Sequence, residues 1–131
     1  MIYLDANIFL HAILNDKAKG QSARKLLEDI SAGRIEASTS CLTWDEVLWK
    51  AQKVFDPNQA LEASNALLSI PNLRFVPVDK QTIAGTSKMV QGYGLHPRDA
   101  IHASAALLLK AQMLSEDRDF DKVKELRRKG L

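Results

Sequence analysis

Four acidic residues, Asp5, Glu46, Asp99 and Asp117, stand where a folded α/β domain could bring them together. Asp5 and Asp117 follow short apolar runs, and Glu46 and Asp99 lie in the first turns of predicted helices. Such positions meet at the carboxyl ends of parallel strands, where open α/β sheets bind ligands. Carboxylates in one crevice repel one another, and a cation relieves that repulsion. An all-oxygen set favours Mg²⁺ or Mn²⁺ over zinc.

Each of these carboxylates also has a purely structural interpretation. Asp5 could cap the helix that follows it, and Glu46 could close a capping box with Thr43 in the segment TWDE. Asp99 would favour the positive end of its helix, and Asp117 is a common turn residue. Taken singly, these interpretations are sufficient. Four acids at the same edge of a sheet favour a shared site.

The acids depend for their positions on an alternation of strands and helices. Strands are predicted over residues 2–4, 35–38, 73–78 and 113–114. Helices are predicted over residues 7–14, 19–31, 43–55, 57–70, 97–112 and from residue 79 into the QGYGL segment. Strands separated by helices imply right-handed crossovers and a parallel sheet. The predicted fold is α/β, a three-layer sandwich with a central parallel sheet of four to five strands flanked by helices.

Length and composition limit the number of domains and the class of protein. The chain of 131 residues is the size of one domain, predicted over residues 1–131. Its single cysteine, Cys41, excludes an internal disulfide and is expected to be a small buried side chain. No basic leader or apolar span is recognisable, so a cytoplasmic protein without membrane contact is expected. A net charge of +2 is too small for a polycation that coats nucleic acid unaided.

Several segments together resemble the PIN domain family, especially its VapC-type toxins. The segments are LDANIFL, Glu46 in an early helix, RDAIHASAAL and SEDRDF, and the likeness runs from Met1 to about Val123. It implies a PIN-like fold, an acidic cluster and three further polar residues of the site. The implied cluster is Asp5, Glu46, Asp99 and Asp117, with Asn7 and Ser115 as polar support and Asp119 as an assisting acid. One departure is the ending ELRRKGL, so the last sheet strand is expected to be short or absent.

The resemblance implies hydrolysis of RNA with a divalent metal ion. Asp5 and Asp99 are expected to bind the first ion, and Glu46 and Asp117 to complete the site directly or through water. One of these last two could orient the attacking water. The family also implies a homodimer and a neutralising antitoxin protein as partners.

Two basic residues near the carboxyl end are candidates for binding the nucleic acid. The last ten residues, KVKELRRKGL, carry five basic side chains against one acid. A solvated helix face is the common explanation for such a run. Arg127 and Arg128 are the alternative prediction, as contacts to RNA phosphates.

Two features leave alternatives open. His102 lies three residues after Asp99 and shares its helix face, so it could bond a ligating carboxylate or be a buried histidine satisfied by backbone. The helix CLTWDEVLWKAQKVF carries one apolar stripe, with Val47, Trp49 and Val54 off it, so it is either wedged in the core or part of an interface. The stripe consists of Cys41, Trp44, Leu48, Ala51 and Phe55.

The favoured function is a metal-dependent endoribonuclease, the toxin of a toxin-antitoxin pair. The alternative is a noncatalytic PIN-like module that binds RNA or protein, although such a module has no need to keep all four acids. A phosphatase with Asp5 as nucleophile is disfavoured, because Asn7 stands where a second acid would be expected.

Overall fold

Five short strands and six helices make up the chain, and the computed structural model describes all residues, 1–131. The elements in order are β1 (Ile2–Leu4), α1 (Ala6–Leu14), α2 (Ala18–Ser31), β2 (Ala37–Ser40), α3 (Cys41–Ala51), α4 (Pro57–Leu68), β3 (Leu73–Val76), α5 (Lys80–Tyr93), α6 (Pro97–Leu108), β4 (Gln112–Leu114) and β5 (Arg128–Lys129), with a 3-10 helix at Arg118–Lys122. None of the helices is long and apolar enough to cross a membrane.

The strands form one all-parallel sheet in the order β3-β2-β1-β4-β5. The chain builds outward from β1 through β2 to β3 and then returns to place β4 on the other side of β1. The carboxyl ends of β1 and β4 therefore form the switch point of the sheet, where such folds bind ligands. The predicted parallel α/β sheet is confirmed, and its final strand β5 is short, with two residues.

Apolar residues cover both faces of the sheet. Alternate residues of a strand point to opposite faces, so Tyr3 packs in one buried cluster with Met113 and Phe120, while Leu4 packs in a second with Ile8. The sheet thus lies between two layers of helices, and the predicted three-layer sandwich is confirmed. Because β1 is buried on both faces, it holds the following residue, Asp5, in a fixed position.

The second strand begins later than predicted, at Ala37–Ser40 instead of residues 35–38, and α3 follows it with Ser40 as N-cap. Thr43 therefore lies inside the helix, and its hydroxyl donates to Thr39 Oγ1 at 2.6 Å. The capping box predicted for Thr43 and Glu46 is wrong, because neither residue is at the helix terminus. Glu46 is free to contact another element.

Helix α3 is not wedged in the core. Its buried residues are Thr43, Val47 and Ala51, which form one face at helical spacing instead of the predicted stripe. Cys41 is exposed, so the expectation of a buried cysteine is wrong. Trp49 is 55% exposed, and the core interpretation of this residue is wrong as well.

Two helices end four residues earlier than predicted. Helix α3 ends at Ala51, and α6 ends at Leu108 instead of residue 112. After α6 the chain turns through Lys110, whose φ of 53° lies in the left-handed region. The turn is closed by the Ala111 amide, which donates to the Ala106 carbonyl at 2.9 Å. This early end releases the chain to pair as β4 beside β1.

Candidate active site

A polar cleft of about 180 Å³ opens at the switch point of the sheet. It is formed by the residues that follow β1 and β4 and by the facing sides of α3 and α6. Eight of its nine lining residues are polar, and the four predicted acids are among them. The lining residues are Asp5, Asn7, Glu46, Trp49, Lys50, His96, Arg98, Asp99 and Asp117.

Asp5 is held firmly at the end of β1. Its Oδ1 accepts a hydrogen bond from the Ala6 amide at 2.7 Å, so it caps α1 as the structural interpretation proposed. Its Oδ2 accepts from Ser115 Oγ at 2.7 Å and from Asn7 Nδ2 at 3.4 Å. Asp5 therefore both caps α1 and lines the cleft. Burial raises the pKa of Asp5, and the contacts with His102 and Ser115 oppose that effect.

Ser115 joins the ends of β4 and β1. This buried hydroxyl donates to Asp5 and accepts from the Asp117 amide at 3.0 Å. Asp117 in turn caps the 3-10 helix by accepting from the Asp119 amide at 2.8 Å. The predicted supporting residues thus position carboxylates through hydrogen bonds, although neither Ser115 nor Asp119 lines the cleft.

The carboxylates fall into two neighbouring groups. Asp99, Asp117 and Asp119 offer oxygen atoms within 4.8 Å of one another, and Asp5 and Glu46 form a second such group with His102. No lysine or arginine forms an ion pair with any of the four predicted acids.

The crowding of carboxylates contributes to a raised pKa of Asp99. Burial, together with the negative charges of Asp117, Asp5 and Glu46, raises the pKa of this carboxyl to about 6. A carboxyl pKa raised in this way is typical of a buried acid beside uncompensated negative charge. The cluster could therefore bind a metal cation.

A chain of hydrogen bonds leads from buried Tyr3 through His102 to Glu46 in the cleft. His102 is fully buried, with Nδ1 2.7 Å from the Tyr3 hydroxyl and Nε2 3.1 Å from Glu46 Oε2. Its Nε2 is also 3.7 Å from Asp5 Oδ1. Since Nε2 faces two carboxylates, it carries a proton and donates to Glu46, and Nδ1 is hydrogen-bonded to the Tyr3 hydroxyl. The alternative in which backbone satisfies His102 is wrong.

The charges around His102 favour its protonated form. Burial alone would lower the pKa of His102, but the hydrogen bond with Glu46 and the charge of Asp5 outweigh burial and raise it. Burial raises the pKa of Tyr3, so the phenol keeps its proton. The spacing of Asp99 and His102 gave a signal for this contact, whereas Tyr3 has the sequence pattern of an ordinary core residue.

Cations and one aromatic ring form the rim of the cleft, and sequence reasoning did not assign them to the site. Lys50 Nζ donates to Asn7 Oδ1 at 3.4 Å. Arg98 is about half exposed and lies 3.9 Å from its nearest acidic partner, Asp45. With His96 and Trp49 they line the opening of the cleft.

The two predicted phosphate-binding arginines lie outside the cleft lining. The Arg128 guanidinium donates to both oxygens of Asp121, at 2.8 and 3.0 Å, and to the Ser115 carbonyl at 3.0 Å. It therefore ties β5 to the loop after β4. Arg127 is exposed and forms no ion pair, so its side chain is free to bind an anion.

Comparison with known proteins agrees with this architecture. The PIN domain family matches residues 2–126. Similar solved structures include VapBC2 from Rickettsia felis bound to a promoter DNA fragment, with 20% identity, a TM-score of 0.78 and coverage of 99% of this chain and 98% of that chain. DNA-bound VapBC from Salmonella typhimurium has 20% identity, a TM-score of 0.76 and the same coverage, 99% and 98%.

A third similar structure is Mycobacterium tuberculosis VapC20, described as a sarcin-ricin loop cleaving toxin, with 15% identity, a TM-score of 0.76 and coverage of 92% of this chain and 93% of that chain. At these identities the likeness concerns the fold. No curated protein matches the sequence significantly. The PIN domain match spans nearly the whole chain and agrees with the parallel sheet and its acidic cleft, and the chain therefore belongs to the PIN domain family.

Proposed function

We propose that this protein is a metal-dependent endoribonuclease that hydrolyses RNA phosphodiester bonds, and that it is the toxin of a toxin-antitoxin pair. The observation that carries the proposal is the cluster of Asp5, Glu46, Asp99 and Asp117 at the switch point of the sheet, without a basic side chain to neutralise it. Membership of the PIN domain family supports the same conclusion.

The residues present fit a divalent cation. Burial and the neighbouring negative charges raise the pKa of Asp99 to about 6, and a cation would offset those charges. The available ligands are carboxylate oxygens, which favour Mg²⁺ or Mn²⁺. We expect Asp5, Asp99, Glu46 and Asp117 to hold the metal. When bound, a divalent ion supplies hydroxide from coordinated water at neutral pH and offsets the charge that develops on a phosphodiester.

The chain's own residues position the reacting groups. Ser115 and the Ala6 amide fix both oxygens of Asp5, so this carboxylate cannot rotate away from the cleft. His102 binds Glu46 Oε2, and the other oxygen of Glu46 has no hydrogen-bond partner. Glu46 is therefore free to accept a proton from an attacking water. Such fixed orientation lowers the entropic cost of reaching the transition state.

The rim is suited to a polyanionic substrate. Lys50 and Arg98 stand at the cleft opening and are weakly engaged, with contacts of 3.4 and 3.9 Å. Their charges would attract phosphates to a cluster that otherwise repels them. Arg127 and Arg128 are proposed as further phosphate contacts, and for Arg128 this would compete with its pairing to Asp121.

The proposed partners are a second copy of the chain and an antitoxin protein. Two similar structures, from Rickettsia felis and Salmonella typhimurium, are VapBC proteins bound to DNA, and one from Klebsiella pneumoniae is a toxin-antitoxin complex. These likenesses, together with the PIN domain match, support an antitoxin partner for this chain.

The proposal is tested with purified protein and single-stranded RNA. Cleavage should need added Mg²⁺ or Mn²⁺, stop with chelator and be lost in Asp5→Asn, because an amide cannot supply the same anionic oxygen. Glu62→Gln is the matched control, because Glu62 is exposed on α4 and its replacement removes one negative charge at a position away from the cleft. Equal cleavage by Asp5→Asn and the control would refute the mechanism. Binding without cleavage by the parent would favour a noncatalytic module.

A further inference from the structure

Trp49 is the single apolar side chain that lines the acidic cleft. Trp49 is 55% exposed, although it is the largest kind of side chain, and it lies in the last turn of α3. The next residue, Lys50, lines the same cleft. Trp49 thus presents a large exposed aromatic surface directly beside the carboxylates.

Polar residues surround Trp49 in the sequence. The residues four and three positions before it, which are its neighbours on the helix surface, are Asp45 and Glu46, and Gln52 and Lys53 follow in the turn after α3. A tryptophan at the centre of a protein interface is normally ringed by apolar contacts that exclude water. Trp49 has no such ring, so its setting does not favour docking of a second protein.

Cations are placed around the ring instead. Lys53 Nζ lies 5.2 Å from the centroid of the Trp49 ring, in a cation–π contact. Lys53 forms no ion pair, and Lys50 and Arg98 are only weakly engaged. An aromatic platform between basic side chains is the arrangement that binds single-stranded nucleic acid, with bases stacked on the ring and phosphates on the cations.

We propose that Trp49 is a base-stacking platform for the unpaired nucleotide next to the phosphate held in the cleft. This inference rests on the proposed function and names its substrate class as single-stranded RNA. A base within a duplex is covered on both faces by its neighbours, so only an unstacked base can lie on the ring. Lys50 and Lys53 would hold the phosphates on either side of that nucleotide.

The first experiment uses fluorescence. The chain has two tryptophans, and Trp44→Phe leaves Trp49 as the single reporter. With Asp99→Asn added to prevent cleavage, titration with a short single-stranded RNA should quench Trp49 emission, and the same sequence as a blunt duplex should not. Binding detected by anisotropy of a labelled RNA, with no change in Trp49 emission, would overturn the proposal.

The second experiment locates the stacked base. Single abasic sites are placed in turn along the same RNA. One position beside the cut should weaken binding to the Asp99→Asn protein by about 10-fold. Trp49→Ala should bind the intact RNA about 10-fold more weakly, and its affinity should not change when the abasic site is introduced. Trp49→Phe should restore most of the affinity. Val54→Ala, which shortens another exposed apolar side chain of the same segment, is the control and should change nothing.

Kinetics in the cleaving protein distinguish this inference from the proposed function. With Mg²⁺, Trp49→Ala should raise KM by about 10-fold and leave kcat nearly unchanged. An unaltered KM in a protein that cleaves RNA would overturn the inference and leave the function intact. A shift of Trp49→Ala toward monomer in sedimentation, with unchanged RNA affinity, would assign the ring to a protein interface instead. Failure of the parent to bind or cleave any RNA would overturn both.

Discussion

Replacing Asp99 by Asn should make the metal-free fold more stable at neutral pH. The carboxyl has a pKa of about 6 in the fold, raised by burial and by the charges of Asp117, Asp5 and Glu46. Against the ordinary value of 3.8, and without solvent screening, this shift destabilises the fold by about 3 kcal/mol above pH 6. Because Asp99 is only half-buried, screening reduces the figure.

The asparagine also loses a favourable charge at the start of α6, which costs about 0.3 to 1 kcal/mol. A net gain of about 1 kcal/mol remains, which corresponds to a rise in Tm of roughly 4 °C for a chain of this size. The assay is thermal unfolding in chelator at several pH values. Since the unfolded carboxyl releases its proton near pH 4 and the folded one near pH 6, the gain should be small at pH 4, grow as the pH rises and be complete by pH 7.

Two outcomes would refute this reasoning. If Asp99 were only a favourable helix-terminus charge, Asp99→Asn would be less stable than the parent at pH 7. If the carboxylates did not interact, the difference in Tm would not depend on pH between 4 and 7. Addition of Mg²⁺ should raise the Tm of the parent through binding to the folded state, and it should raise the Tm of Asp99→Asn by less.

Two further predictions concern residues around the cluster. Tyr3→Phe leaves Nδ1 of His102 buried without a partner, which should cost about 1 to 3 kcal/mol and lower the urea midpoint; an unchanged midpoint would contradict the hydrogen bond. Arg127→Gln should weaken RNA binding and reduce its salt dependence by about one phosphate contact. Arg128→Gln should in addition lower stability, because this guanidinium ties β5 to Asp121. If the salt dependence of RNA binding is unchanged in Arg127→Gln, Arg127 is a solvated surface residue without a phosphate contact.

Much of the fold could be predicted from local sequence, because each strand of the sheet is a short run set between helix signals. The second strand shows where this fails. Three of the four residues of ASTS are polar, yet all four are buried. Carbonyls of β1 accept hydrogen bonds from the hydroxyls of Ser38 and Thr39, whereas Ser40 Oγ has no partner. Thr39, for example, donates to the Leu4 carbonyl at 2.8 Å. A strand buried through such long-range bonds has no apolar pattern that a sequence could reveal.

The acids of the site could be predicted because their positions depend on strand ends, which local sequence marks. The partners behind them could not. Tyr3 and His102 are 99 residues apart, and their contact exists only because β1 lies beneath α6. Gly85 is a similar case: a Cβ there would lie 2.3 Å from Ser104 Oγ, so it allows α5 and α6 to pack closely, and no turn signal marks it.

The central claim is that the acidic cleft directs a water molecule onto an RNA phosphodiester. The most direct test uses a short RNA with one 2′-deoxy nucleotide at the cut site, incubated with Mg²⁺ and the parent, Asp5→Asn or Glu62→Gln proteins. We propose that the nucleophile is a water molecule that a bound metal ion would activate. On that proposal the parent and the control should cut the modified RNA as they cut the unmodified one, and Asp5→Asn should not. Cleavage that needs the 2′-hydroxyl, or that persists in chelator or in Asp5→Asn, would contradict the account.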